Sequence, residues 1–188
     1  MKTKNQLFCM ILCGVLLLCG CGIRQFTPSI AQTEFSKENQ NIIQTLSNDT
    51  KFLDFTIDSS VTTATVTIRY HQDGTWQEPE EILALSDMQP GNYHLILRWI
   101  EDRIDAYISS DSASYSNTYI LTPEWVKAFD ASVIQSEVGF GSERPIVAGE
   151  EIPLWCIYGS NTEEISSQSS DYQASDCDIG LVFAVTFS

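Results

Sequence analysis

Alternation of apolar and polar residues is the pattern that most constrains the fold of this chain. It recurs in five segments, residues 53–57, 64–71, 93–100, 104–108 and 179–187. A period of two places every second side chain on the same face of an extended strand, and many of the apolar residues are β-branched or aromatic. The chain is therefore predicted to consist mainly of β-strands.

Turn signals connect these segments into hairpins. Gln72-Asp73-Gly74 follows one strand, and Asp-Gly accepts the positive φ that a tight hairpin turn needs. Glu101-Asp102-Arg103 separates two further strands, which form the clearest predicted hairpin. Segment 93–100 carries apolar residues on both faces and is predicted to be central in its sheet. Segment 179–187 is so apolar that it too should lie in the middle of a sheet.

Two short helices and two polar loops complete the prediction. One helix is expected within residues 35–46, starting near Ser36. Thr122-Pro123-Glu124 combines a capping residue with proline at the first helical position, so a second helix should bury Trp125, Val126 and Phe129. Ser109 to Asn117 and Gly159 to Ser175 are expected to be exposed loops. The predicted fold is an all-β antiparallel sandwich, immunoglobulin-like or similar, with a small barrel as the alternative.

The first twenty-one residues have the pattern of an export signal. Lys2 and Lys4 precede an apolar run over residues 7–18. Twelve helical residues span about 18 Å, too short for a hydrocarbon core of about 30 Å, so the pattern is typical of a signal peptide. The run ends in Leu18-Cys19-Gly20-Cys21, which resembles the lipobox of bacterial lipoproteins.

The resemblance implies that a diacylglyceryl group is attached to Cys21, that cleavage follows Gly20, and that the new amine can be acylated, for example with palmitate. Lipid on Cys19 and a plain transmembrane anchor are the alternatives. The implied division is a signal peptide over 1–20, a tether over 21–34 and one sandwich domain over 35–188. The domain layout also resembles uncharacterised β-sandwich lipoproteins of Gram-positive bacteria, which implies no activity. The expected location is the outer side of the bacterial cell membrane.

Charge excludes one class of partner. The chain has 10 basic and 25 acidic residues, and removal of Lys2 and Lys4 with the leader leaves 8 against 25, a net charge of −17. Nucleic-acid binding requires a basic face, so no nucleic-acid partner is expected. Docking on anionic lipid is disfavoured for the same reason, and membrane attachment should depend on the acyl chains.

Cysteine usage divides between leader and domain. Four of the six cysteines lie at or before residue 21, which leaves Cys156 and Cys177 for the fold. Outside the cytoplasm two such cysteines readily pair, and a bridge would stabilise the domain by about 3 kcal/mol in the chain-entropy model. A structural disulfide is predicted, with two buried thiols as the alternative.

Motifs of catalysis are weak throughout. Residues 139–143 lack the Gly-x-Ser-x-Gly pattern of a nucleophile elbow, and no catalytic residue, cofactor or metal ligand set is predicted. The aromatic residues Trp76 and Tyr115, near a turn and in a polar segment, are candidates for stacking on sugar rings. The expected function is a non-enzymatic, lipid-anchored surface protein with a binding or envelope-structural domain, whose partner is a cell-wall glycan or an envelope protein. A carbohydrate- or peptidoglycan-binding module is the alternative, and an exported hydrolase is the third.

The anchor is directly testable. Cys21→Ala is expected to abolish lipid labelling and to block maturation after Gly20, because the thioether cannot form. Metabolic labelling with a fatty acid, followed by mass analysis of the amino terminus, measures both effects. Persistent labelling of the variant would place the lipid on Cys19 or indicate another kind of anchor.

Overall fold

The computed structural model describes residues 27–46, 49–162, 172–175 and 177–188. The predicted signal peptide and Cys21 lie outside these residues. Twelve strands and two α-helices lie in the described part of the chain. A 3₁₀ turn at Tyr172–Ala174 precedes the last strand. The strands are β1 Ser29–Gln32, β2 Thr50–Ile57, β3 Ala64–Gln72, β4 Thr75–Trp76, β5 Glu80–Leu85, β6 Gly91–Ile100, β7 Arg103–Ser109, β8 Ser114–Ile120, β9 Ile134–Gly139, β10 Arg144–Pro145, β11 Glu151–Ser160 and β12 Ile179–Phe187, and the helices are α1 Lys37–Leu46 and α2 Pro123–Asp130.

The strands form two antiparallel sheets. The first sheet has the order β10-β1-β2-β6-β7-β8. The second has the order β4-β3-β12-β11-β9, and β5 also pairs with β3. Neither sheet closes on itself in the described part of the chain, so the predicted sandwich is confirmed and the barrel alternative is not formed.

The alternation in the sequence sets the core between the sheets. Leu53 and Phe55 of β2, Leu95 and Leu97 of β6, and Phe183 of β12 are each at most 1% exposed. Their polar neighbours in sequence point away from the core, as period two requires. The turn before β4 is also as predicted, with positive φ at Asp73 and Gly74.

Strand β12 is buried on both faces. It pairs with β3 on one side and β11 on the other, which confirms the predicted central position. Its inner residues join the main core, whereas Val182 and Ala184 point outward. A second cluster covers that outer face, and we call it the outer cluster: its buried members are Cys156, Tyr158, Tyr172, Val182 and Ala184.

Helix α2 places a large aromatic ring, that of Trp125, in the core. Trp125 is fully buried, and its ring stacks on Phe129 one turn later, with centroids 5.1 Å apart. Its indole nitrogen donates a hydrogen bond to the Gly180 carbonyl oxygen at 3.2 Å. The helix is therefore fixed to β12 by both packing and a buried hydrogen bond.

Three sequence predictions need correction. Ser109 to Asn117 is not wholly a loop, because β8 begins at Ser114 and pairs with β7 along its length. Strand β8 is polar and almost entirely exposed, so no alternation reveals it. The predicted tether contains β1, whose Ile30 is fully buried. The sandwich therefore starts before residue 35.

The third correction concerns the long polar segment after β11. Gly159 and Ser160 belong to β11, and Tyr172 is only 4% exposed. The Tyr172 hydroxyl donates to Glu151 at 2.7 Å, and the same carboxylate accepts from Arg69 at 3.1 Å. These bonds hold the 3₁₀ turn against the outer face of the second sheet. Among the described helices none is long and apolar enough to cross a membrane.

The cap of α2 gives a stability test. The Thr122 hydroxyl oxygen accepts a hydrogen bond from the Trp125 backbone nitrogen at 3.3 Å. Thr122→Ala is expected to lower the free energy of unfolding by about 1 kcal/mol, because that nitrogen loses its intramolecular partner. For a domain of this size the melting temperature should fall by roughly 2–4 °C. Thr122→Ser, which keeps the hydroxyl, should be close to the wild type, and equal losses in both variants would contradict the capping role.

Candidate functional site

A groove opens at one edge of the sandwich, between the end of the first sheet and strand β9 of the second. It comprises two overlapping cavities of about 180 and 300 Å³ that share Trp99 and Phe129. Together they are lined by eight residues, Asp49, Trp99, Glu101, Phe129, Gln135, Ser136, Glu137 and Ile157. We call this the Trp99 groove.

Trp99 supplies the aromatic wall of the groove. Its inner side packs on Trp125, Phe129 and Trp155, with ring centroids 5.5–6.4 Å apart. Its backbone nitrogen donates to the Asp49 carbonyl at 2.9 Å and its indole nitrogen to the Glu101 carbonyl at 2.6 Å. Three ring contacts and two hydrogen bonds thus position the indole, and the residue as a whole is partly exposed. Trp99 packs at the margin of the core.

Polar side chains surround this aromatic wall. Asp49, Glu101, Gln135 and Glu137 are all exposed at the groove. The side-chain amide of Gln135 donates to the Phe129 carbonyl at 2.8 Å, so its position is fixed by α2. An aromatic surface beside carboxylate and amide groups can stack on an apolar ring face and accept hydrogen bonds from hydroxyl or ammonium donors.

An ion pair between the sheets involves Glu137, one of the residues that line the groove. Lys51 of β2 points inward and lies 3.2 Å from a Glu137 carboxylate oxygen of β9. The Lys51 ammonium also lies 4.7 Å from the centre of the Trp155 ring, and the Trp155 indole nitrogen donates to Glu137 at 3.1 Å. These three side chains connect the two sheets where the core would otherwise open to the groove.

The two predicted stacking residues lie elsewhere and apart from each other. Trp76 is partly buried against the outer cluster, with its ring centroid 5.0 Å from His71 and 4.9 Å from Tyr172. Its indole is therefore already in contact with protein rings. Tyr115 is 52% exposed on β8, at the edge of the first sheet. Neither residue lines the Trp99 groove, and their role in sugar binding stays a prediction.

The two cysteines of the domain both lie at the outer face of the second sheet. Cys156 is buried in the outer cluster, and the partly exposed Cys177 packs against it. They are not bonded to each other in the structure, and their disulfide stays a prediction. Burial raises the pKa of Cys156 to about 11, which keeps it a thiol at neutral pH.

The two histidines occupy different environments. His94 is exposed and lies 2.7 Å from a carboxylate oxygen of Asp54 on the neighbouring strand. His71 is only 6% exposed, since Trp76 packs on it. Its Nδ1 lies 3.7 Å from the Cys177 sulfur. In the described ranges, no three His, Cys, Asp or Glu side chains converge as metal ligands would.

Comparisons with known proteins add no assignment to this geometry. No protein-family model, curated protein or solved structure matches the chain. The case for a site therefore depends on the contacts described above.

Sequence reasoning missed the Trp99 groove because its residues are scattered. Asp49, Trp99, Phe129 and Gln135 come from four different elements or their ends. One signal was available, since Trp99 is the last aromatic residue of its strand and precedes an acidic turn. Alternation alone assigns such a residue to the core, whereas its position at a strand end leaves part of the ring uncovered.

The Glu137 contacts can be separated by two substitutions. Glu137→Gln removes the charge pair with Lys51 but keeps an acceptor for Trp155, so the free energy of unfolding should fall by less than about 1 kcal/mol. Glu137→Ala also leaves the buried Trp155 nitrogen without its partner, and the loss should reach about 1–2 kcal/mol. Urea denaturation measures both. Equal losses would show that the Trp155 hydrogen bond adds nothing to stability.

Proposed function

We propose that the chain is an exported, lipid-anchored binding protein of the bacterial cell membrane. The leader pattern ending at Cys21 supports export and anchoring. The acidic charge of the mature chain supports attachment through acyl chains, because repulsion from anionic lipid opposes direct docking of the domain. The sandwich would then be presented on the outer side of the membrane as a binding domain.

The Trp99 groove is the proposed ligand site, and the observation that carries this proposal is that the partly exposed Trp99 lines both of its cavities. The ring is fixed from behind by three aromatic neighbours and by two hydrogen bonds, so a ligand would lose little free energy to ordering of the site. Ligand sites commonly combine an aromatic surface with a few fixed polar groups, as this groove does.

A carbohydrate is the ligand class that the groove favours, for instance a glycan of the cell wall. Sugar rings present an apolar face that stacks on indole, and their hydroxyls donate to carboxylate and amide oxygens. Asp49, Glu101, Gln135 and Glu137 supply such oxygens around Trp99. An envelope protein is the other partner class, and it would bind the same groove through side chains in place of sugar hydroxyls.

Binding to glycans with variants of Trp99 tests the carbohydrate proposal. The full chain should bind at least one glycan on an array of cell-wall fragments and other polysaccharides. Trp99→Ala should weaken that binding about tenfold or more, since loss of one stacked aromatic surface removes on the order of 1.4 kcal/mol. Trp99→Phe keeps the packing against Trp125 and should lose less.

Two controls make the result specific. Asp49→Asn removes a carboxylate at the rim of the groove and leaves the aromatic cluster unchanged. It should also weaken glycan binding if Trp99→Ala weakens binding because the glycan lies in the groove. Tyr115→Ala alters an exposed aromatic residue on a distant edge and should leave binding unchanged. Binding lost in Tyr115→Ala but kept in Trp99→Ala would move the site to β8. Absence of binding to every glycan would contradict the carbohydrate proposal.

A further inference from the structure

A sulfur and an imidazole meet at the outer face of the second sheet, away from the Trp99 groove. The Cys177 sulfur lies 3.7 Å from Nδ1 of His71, within hydrogen-bond range for sulfur. His71 is 94% buried, whereas Cys177 is partly exposed. A partly exposed cysteine is therefore in contact with an imidazole that is shielded from solvent. We call these two residues the Cys177–His71 pair.

The chain that follows Cys177 is fixed in place by hydrogen bonds of Asp178. The backbone nitrogen of Asp178 donates to the Gly159 carbonyl at 3.1 Å. The Asp178 carboxylate accepts from the Asn161 backbone nitrogen at 2.6 Å and from the Ser160 hydroxyl at 3.0 Å. Further along, a Cβ atom at Gly180 would lie 3.3 Å from the sulfur and 2.8 Å from the Trp76 ring. Glycine at this position lets both groups lie directly on the sheet.

Geometry makes His71 a candidate acceptor of the thiol proton, because its Nδ1 lies within hydrogen-bond range of the sulfur. Hydrogen bonds from Asn161 and Ser160, with a smaller effect of His71, lower the pKa of Asp178, so the carboxylate next in sequence to Cys177 is charged near pH 7. Burial raises the pKa of Tyr158, of Tyr172 and of Cys156, so these three groups stay neutral near pH 7.

Cys156, the second cysteine at the outer face, has different surroundings. Cys156 is 1% exposed, and its neighbours are Tyr158, Val182 and the other members of the outer cluster. Because the thiolate is the reactive form, its pKa of about 11 makes Cys156 slow at neutral pH. The two cysteines thus differ in exposure, in proton acceptor and in expected reactivity.

We propose that the Cys177–His71 pair is a thiol–disulfide exchange site that reacts with low-molecular-weight disulfides such as cystine or glutathione disulfide. His71 takes the proton from the Cys177 thiol, and the thiolate attacks one sulfur of the disulfide RSSR. A bond forms between Cys177 and that sulfur, the S–S bond of RSSR breaks, and the departing thiolate takes the proton from His71. The products are a mixed disulfide on Cys177 and one RSH.

The same step gives a route to the predicted Cys156–Cys177 bridge. After Cys177 carries the mixed disulfide, attack by Cys156 on the Cys177 sulfur would form the bridge and release the second RSH. The supply of disulfides outside the cytoplasm rests on the proposed export, since that compartment is oxidising. The reactivity of the pair depends neither on export nor on the Trp99 groove, so failure of one proposal leaves the other standing.

The test compares the two cysteines in the same molecule. The full chain is reduced, freed of reductant and treated with glutathione disulfide at about pH 7. Peptide mapping by mass spectrometry then follows each cysteine over time, in the native protein and in urea. In the native protein Cys177 should be modified faster than Cys156, and faster than the same residue in urea, where His71 is no longer beside it. Either a glutathione adduct or a bridge to Cys156 counts as modification of Cys177.

Substitution of His71 supplies the second readout. His71→Phe keeps an aromatic ring against Trp76 and His71→Gln keeps a polar side chain, but neither offers the imidazole nitrogen. Both should slow modification of Cys177 at neutral pH by up to about thirtyfold, because an ordinary thiol with a pKa of about 8.5 is only about 3% thiolate at pH 7. The difference should shrink as the pH is raised toward the ordinary thiol pKa of about 8.5. His94→Phe, which changes an exposed histidine of the first sheet, should have no effect.

Three outcomes would overturn the proposal. One is modification of Cys156 ahead of Cys177 in the native protein. Another is equal reactivity of Cys177 in native and unfolded chains, which needs no variant to fold. The third is an unchanged rate and pH profile in a folded His71 variant, which would leave the imidazole with a packing role only.

Discussion

The packing of Trp125 is the interaction on which most of this structure depends. Its ring, carried by α2, lies against Tyr70 of the second sheet and Trp99 of the first. Its nitrogen reaches the backbone of β12, so helix and both sheets meet at one buried side chain. Removal of such a ring from a core typically destabilises a domain by about 3–5 kcal/mol. The same packing stabilises the Trp99 groove, because Trp99, the aromatic wall of the groove, contacts Trp125.

The fold followed from the sequence wherever side chains alone determine where a strand lies. Segment 53–57 alternates because only one of its faces meets the core. Segment 179–187 carries apolar residues on both faces because both are covered. Strand β8 was not predicted, because it pairs with β7 through backbone hydrogen bonds, and such bonds require no particular residue type. Strand β1 escaped because four residues with a single buried isoleucine are too short to establish a period.

The candidate sites were harder to predict than the fold, and for a different reason. The Cys177–His71 pair joins residues 106 positions apart, and the Trp99 groove collects residues from five parts of the chain. No local spacing encodes contacts of that kind. The cysteine count did indicate which thiols to consider, because only two cysteines were left for the domain. The structure places both at the outer face of the second sheet. What it could not supply was the contrast between them, which arises from the burial of Cys156 and from the histidine beside Cys177.

The central position of β12 also bears on when the domain can fold. Strands β3 and β11 do not pair with each other, and each reaches the second sheet only through residues 179–187. Until that segment has been synthesised, the second sheet consists of separate pieces and the core lacks Phe183 and Phe187. An architecture that reserves its central strand for late in synthesis delays closure of the sandwich until residues 179–187 are available to pair.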